Sequence, residues 1–169
     1  MVTIRKADTD DIKLVRIILA AVADDLTARF GCGHWSTVRS SGTLRKYIGN
    51  GALHVVEAGA VAVGSLKLTP RKIAFYQKSW FAVPQDAAAY LSDMAIDPAY
   101  QRRGLGRQSM EALERLAQHA GLKALRLDAY RGPAGAVPFY RKCGYAQVHE
   151  GEQNGVPLTY FEKVLSGDF

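Results

Sequence analysis

Chemistry in this chain is concentrated first in the run Gln101-Arg102-Arg103-Gly104-Leu105-Gly106. The two glycines let backbone come close to a ligand, and a helix starting here would present unpaired N–H groups and the positive end of its dipole. Arg102, Arg103 and Arg107 add cationic charge. Such a combination favours an anion, phosphate above all. Taken alone, the same residues also read as a turn with solvated arginines. Two other phosphate-binding patterns fit less well. A dinucleotide-binding fingerprint would use Gly104, Gly106 and, further on, Asp128, but Ser109 stands at its third glycine and the glycines lie a loop away from the strand end. A Walker A loop would need Gly-Lys-Ser/Thr, which does not follow.

The neighbouring segments must position that loop. Tyr90, Leu91, Met94, Ala95 and Ile96 predict a strand over 90–96, ended by Asp97-Pro98 because Pro98 lacks a donor and biases Asp97 away from helix. Leu105, Leu113, Leu116, Ala117 and Ala120 predict an amphipathic helix that Gly121 stops. Upstream, a first strand over 2–7 leads into Asp8-Thr9-Asp10-Asp11, which caps a helix over about 10–29. A glycine-broken aromatic loop with His34 and Trp35 follows, then a short helix over 42–48. Residues 53–57 and 61–68 read as a hairpin, and 69–89, with Tyr76 and Trp80, as a long loop. Residues 122–130 predict a strand parallel to 90–96, because a helix crosses between them. A short helix over 132–144 and a hairpin of 146–150 with 158–164, turning at Gln153-Asn154-Gly155, complete the chain.

Composition narrows the classes. A chain of 169 residues with 48% hydrophobic content fits one domain with a sizeable core. Its net charge of +6 favours an anionic partner, yet Lys and Arg are spread without the run or stripe that nucleic-acid binding would want. Cys32 and Cys143 form no CxxC, which argues for two reduced thiols and against a zinc site or disulfide framework. The N-terminus lacks the profile of a signal peptide, and the longest apolar stretch, 12–23, is too short to span a bilayer and carries Lys13 and Arg16. A soluble cytoplasmic protein is expected, with no metal and no membrane partner.

Strand, Asp97-Pro98, Gln101-x-x-Gly104-x-Gly106 and helix, in that order, resemble the acetyl-CoA-binding motif of the GNAT superfamily of N-acetyltransferases, Gln/Arg-x-x-Gly-x-Gly/Ala. Every position matches. Phe139-Tyr140-x-x-x-Gly144-Tyr145 resembles the second GNAT signature, Phe-Tyr-x-x-x-Gly-Phe/Tyr. The order β-α-α-β-β-β-α-β-α-β-β is also similar to the GNAT fold. That resemblance implies an α/β (mixed α+β) fold, a central mixed, mostly antiparallel sheet with helices on both faces, and a single domain over 1–169.

It further implies an acetyltransferase that moves acetyl from acetyl-CoA to a primary amine of a small molecule or peptide in a ternary complex, with a homodimer open to it. Main-chain groups of Met94, Ala95 and Ile96 would hold the pantetheine arm, and Arg102, Arg103, Gly104, Leu105, Gly106 and Arg107 the pyrophosphate. Tyr140 would be the general acid for the departing thiolate. Asp93, on the same strand as Met94, is the first choice of base, ahead of Glu57, His54 and His34. His34, Trp35, Tyr76 and Trp80, with Phe75 and Phe81, would frame the acceptor. Many members carry an asparagine before the tyrosine helix; Arg131-Gly132-Pro133-Ala134 stands there here, so Tyr130 or a main-chain group would take its hydrogen bond. The alternative reading is a non-catalytic acetyl-CoA-binding sensor or interaction module.

Overall fold

The computed structural model describes residues 1–165. Seven strands, β1 (Val2–Lys6), β2 (Leu53–Ala58), β3 (Val61–Thr69), β4 (Ala88–Ile96), β5 (Ala124–Tyr130), β6 (Ala146–Gln153) and β7 (Val156–Val164), alternate with four helices, α1 (Ile12–Phe30), α2 (Ser41–Gly49), α3 (Leu105–His119) and α4 (Val137–Lys142). The strands are hydrogen-bonded in the order β1-β2-β3-β4-β5-β7-β6. Pairing is antiparallel for β1 with β2, β2 with β3, β5 with β7 and β6 with β7, and parallel for β4 with β5. The element order is the one the sequence predicts.

The described residues divide into two compact units, 1–68 with 93–112 and 69–92 with 113–165, so β4 and α3 each contribute to both. In the first unit, Ile12 and Val15 of α1, Leu44 of α2, and Leu53 and Val55 of β2 form a core cluster. A capping box starts the α1 region: Asp10 N–H donates to Asp8 Oδ1 at 2.9 Å and Asp8 N–H to Asp11 Oδ2 at 2.9 Å. Arg5 then clamps Asp11 with two bonds of 2.7 and 2.8 Å, holding the Asp11 carboxyl below its ordinary range. In the second unit the cluster is aromatic, built on Tyr76, Tyr90, Leu158 and Tyr160.

The largest differences from the sequence reading lie at three places. β4 starts at Ala88, because Ala88, Ala89 and Tyr90 pair with Ala124, Leu125 and Arg126. The tyrosine helix covers only Val137–Lys142, with Pro138 in its first turn; a turn closed by Gly135 N–H on Gly132 O at 2.9 Å precedes it. The last hairpin runs tight to Asn154-Gly155, whose φ of 51° and 77° are the two left-handed centres of a type I′ turn.

Candidate functional site

β4 ends at Ile96, and the chain is tied back at once: Gln101 Nε2 donates to Ile96 O at 2.8 Å, and Ala99 N–H to Asp97 Oδ1 at 2.9 Å. Two residues of the loop are left-handed, Arg102 with φ 60° and Gly104 with φ 76°. Left-handed residues at alternate positions turn nearby backbone N–H groups into a concave anion-binding nest. Glycine takes that conformation without cost; at Arg102 it is a deliberate feature of the turn. Gln108 N–H donates to Gly104 O at 3.1 Å, so α3 begins here and the N–H groups ahead of Gln108 lie in its open first turn. Arg102, Arg103, Gly104 and Arg107 are exposed. Arg103 lies over the Tyr100 ring at 5.7 Å, and Arg107 pairs with Glu111 at 3.1 Å. Exposed N–H groups, a helix N-terminus and a surplus of guanidinium charge fit a pyrophosphate.

Met94, Ala95 and Ile96 form the last three positions of β4, with Ala95 and Ile96 buried. Asp93, just before them, has φ 50° inside the strand, which re-aims the backbone there as a bulge does. Its carboxylate is held by Arg39, Nε to Oδ2 at 3.0 Å and Nη2 to Oδ1 at 2.9 Å. Burial and then the Asp93 charge push the Tyr47 phenol up. The other titratable candidates of this unit are engaged elsewhere. Glu57 accepts from Arg5 at 2.8 Å, and buried His54 donates from Nδ1 to Ala52 O at 2.9 Å while burial lowers its pKa. His34 is exposed, with its ring edge-on to half-buried Trp35 at 5.0 Å, and Trp35 Nε1 donates to Gly31 O at 3.0 Å.

In the second unit the strand period places Arg126, Asp128 and Tyr130 of β5 on one face and Leu125, Leu127 and Ala129 on the other. Across the ladder Arg126 faces Tyr90 and Glu162, and Asp128 faces Tyr160. The 69–87 connection is fastened to that row. Tyr76 Oη donates to Asp128 Oδ2 at 2.6 Å, Ala82 N–H to Glu162 Oε1 at 2.8 Å, and Arg126 Nη2 to Val83 O. Burial, then the Asp128 charge, push the Tyr76 phenol well above its ordinary value. Tyr76 packs against Phe81 at 5.8 Å, and Trp80 stacks on His149 at 4.0 Å. Tyr140 is buried on α4 among Phe139, Tyr145 and Phe161. Burial first, then the charges of Cys143 and Asp128, raise its pKa, so its phenol keeps its proton at neutral pH.

The model of the acetyltransferase (GNAT) family matches residues 19–145. The chain belongs to the GNAT acetyltransferase family. Among curated relatives of this GNAT chain is the [ribosomal protein bS18]-alanine N-acetyltransferase of Escherichia coli K12, 35% identical over 60 residues. The match spans 36% of this chain and only 40% of that relative's length. Two solved structures share the fold. A GNAT acetyltransferase from Listeria monocytogenes superposes with a TM-score of 0.75 at 20% identity, covering 97% of this chain and 95% of its own. A Salmonella typhimurium protein solved with its cofactor acetyl-CoA gives a TM-score of 0.69 at 19% identity, over 100% and 96% of the two chains.

For a GNAT chain the positions named from sequence fall into three sets. Asp93, Met94–Ile96 and 101–107 are one continuous stretch of the first unit, which also contains His34 and Trp35. Tyr76 and Trp80 share the aromatic cluster of the second unit, and Tyr140 lies in that unit too. Asp128 was legible only as a strand-end acid. Its bond to Tyr76, 52 residues away, and its electrostatic effect on Tyr140 are products of the fold. A carboxylate directly after the run Ala124-Leu125-Arg126-Leu127, apolar but for Arg126, was the available signal. Among the described residues no helix is long and apolar enough to cross a membrane.

Proposed function

We propose that this GNAT chain transfers the acetyl group of acetyl-CoA to a primary amine of a peptide or small molecule, by direct attack in a ternary complex. The observation that carries the reading is the 101–107 turn, whose left-handed Arg102 and Gly104 open α3 onto exposed arginines. Backbone N–H groups of 102–106, with Arg102, Arg103 and Arg107, hold the pyrophosphate, and main-chain groups of Met94, Ala95 and Ile96 hold the pantetheine arm. When bound, acetyl-CoA supplies the acetyl group as an activated thioester.

Tyr140 Oη donates its proton to the departing sulfur, a role for which its raised pKa keeps it loaded. An alkylammonium has an unperturbed pKa near 10.4, so the amine must shed a proton before it attacks. Arg39 already occupies both oxygens of Asp93, which puts Asp128 first as acceptor of that proton and Asp93 second. Tyr76 fixes the orientation of Asp128. Tyr76 and Trp80 frame the acceptor amine. The E. coli relative acts, by its name, on an alanine of a ribosomal protein, which supports a peptide α-amine as one member of the acceptor class.

The test is release of free coenzyme A, read with a thiol reagent, from acetyl-CoA and a panel of peptide and small-molecule amines. Turnover with at least one amine supports the proposal. Coenzyme binding with no turnover across the panel would instead favour the sensor or interaction module.

A further inference from the structure

α4 carries Tyr140 but is only six residues long, Val137–Lys142, too short to hold its own shape. Where Tyr140 points is therefore set by what grips that helix. Its C-terminal end is gripped from another element: Lys163 of β7 donates from Nζ to Cys143 O at 2.8 Å and to Glu114 Oε2 of α3 at 2.7 Å. All of these residues belong to the second unit. We propose, on the reading of Tyr140 as the proton donor, that Lys163, held by Glu114, is a positioning residue for acetyl transfer: it fixes the end of α4 and with it the aim of the Tyr140 hydroxyl.

The last carbonyls of a helix lack intrahelical donors, and a lysine near that end can supply one. Lys163 does so from outside the helix, and it fills the space beside Gly144: the atoms nearest an added Cβ there are Lys163 Nζ at 3.7 Å and Cε at 3.8 Å. Tyr145, next in the chain, carries the grip to Tyr140. Its N–H donates to Tyr140 O at 3.1 Å, its ring lies edge-on to the Tyr140 ring at 6.0 Å, and Lys163 Nζ is 5.5 Å from its centroid. Cys143 N–H also donates to Tyr140 O, at 3.1 Å. A displaced Lys163 thus disturbs main chain that is bonded to Tyr140 itself.

Stability alone gives a poor reason for this arrangement. The Lys163 and Glu114 side chains are 26% and 15% exposed, and an ion pair so far withdrawn from water gains little net free energy once desolvation is counted. Polar capacity is also left unmet beside it, since Glu114 Oε1 and Tyr145 Oη are buried without a hydrogen-bond partner among the described residues. Burial, then the Glu114 charge, hold the Tyr145 phenol above its ordinary pKa. Folded chains keep such unmet groups where function sets the geometry.

The experiment compares three variants with the parent: Glu114→Gln with Lys163→Met, which removes both charges and so leaves neither buried alone; Lys163→Arg, which keeps the cation; and Tyr140→Phe. With acetyl-CoA and an amine that the parent acetylates, the paired change is expected to lower kcat by about tenfold to a hundredfold with KM for both substrates little changed, and Lys163→Arg to recover part of the loss. Added to Tyr140→Phe, the paired change should cost nothing further, because no hydroxyl is left to aim. A full additional loss would mark a merely structural role and overturn the proposal. So would an unchanged kcat in the paired variant when Tyr140→Phe is slow. If Tyr140→Phe itself keeps the parent's kcat, the reading of Tyr140 as proton donor fails, and the proposal with it. Carbon NMR of the tyrosine rings adds a readout that needs no turnover. The Tyr140 signal, identified by its loss in Tyr140→Phe, should move in the paired variant and lie nearer the parent's in Lys163→Arg, with circular dichroism unchanged. Glu114→Gln alone, a milder change, should move it less and decides the matter if the paired variant folds poorly. A Tyr140 signal that stays at the parent's position would overturn the proposal whether or not any amine is acetylated.

Discussion

Tyr140 carries the sharpest claim at the scale of single residues. Tyr140→Phe keeps the ring between Phe139, Tyr145 and Phe161 but removes the proton, so turnover should fall about 10²–10⁴-fold with coenzyme affinity little changed. Parallel loss of affinity would make it a binding or folding residue. The two carboxylates are separated in the same way. Asp128→Asn should lower turnover about 10²-fold or more, and Asp93→Asn distinctly less, since Asp93 is already engaged by Arg39. A larger effect at Asp93, measured with the same amine, would restore it as the base. Tyr140 was legible because its neighbours form a local signature, Phe139 through Tyr145. Asp128 was not, because what distinguishes it is a hydroxyl bond at 2.6 Å to a residue in a loop without periodicity.

Among the elements, the turn into α3 is the proposed seat of coenzyme binding. At Gly104 the nearest atom to an added Cβ is Gln108 Nε2 at 3.7 Å, so a side chain fits; the cost is the φ of 76°, about 1–2 kcal/mol for an L-residue. Gly104→Glu should therefore fold yet lose coenzyme A binding, because a carboxylate is placed at the anion site. Gly104→Ala shares the backbone strain without the charge and should retain more affinity. Equal calorimetric affinities for the parent and the Glu variant would reduce the loop to a turn. A second element-level test concerns β2, where burial lowers the His54 pKa below its ordinary 6.5. The unfolded chain then binds the proton more readily, so the His54 contribution is present above about pH 6.5 and is lost as pH falls through the lower folded value. Urea midpoints at pH 7.5 and 5.0 should show a larger drop for the parent than for His54→Gln, and equal drops would mean that His54 is not linked to stability. Elements with strong period and terminal signals were read closely from sequence, as at Asp8 to Asp11 and at Asn154-Gly155. The 69–87 connection was not, for its order comes from bonds to β5 and β7.

At the scale of the whole chain, the order of elements was legible, but the placing of β7 between β5 and β6 was not, since either strand of the last hairpin could have joined β5 on pattern alone. The passage of β4 and α3 from one compact unit to the other was equally hidden, because each reads as one uninterrupted period. Net charge, in contrast, is read directly: 22 Lys and Arg against 16 Asp and Glu give +6. Its meaning is testable through kinetics. A field from the whole molecule steers an anionic ligand toward the protein and acts on the association rate, and salt removes it as the screening length contracts from about 10 Å at 0.1 M to about 3 Å at 1 M. Pairs in direct contact, such as guanidinium with phosphate, act mainly on dissociation. Stopped-flow mixing with coenzyme A should show association slowing by about tenfold or more between 20 mM and 0.5 M salt, with a smaller change in dissociation. If dissociation instead carries the salt dependence, binding is governed by the arginines of the 101–107 turn and not by the field. If neither rate moves, the excess of cations serves solubility, and the anion site rests on the backbone N–H groups of residues 102–106.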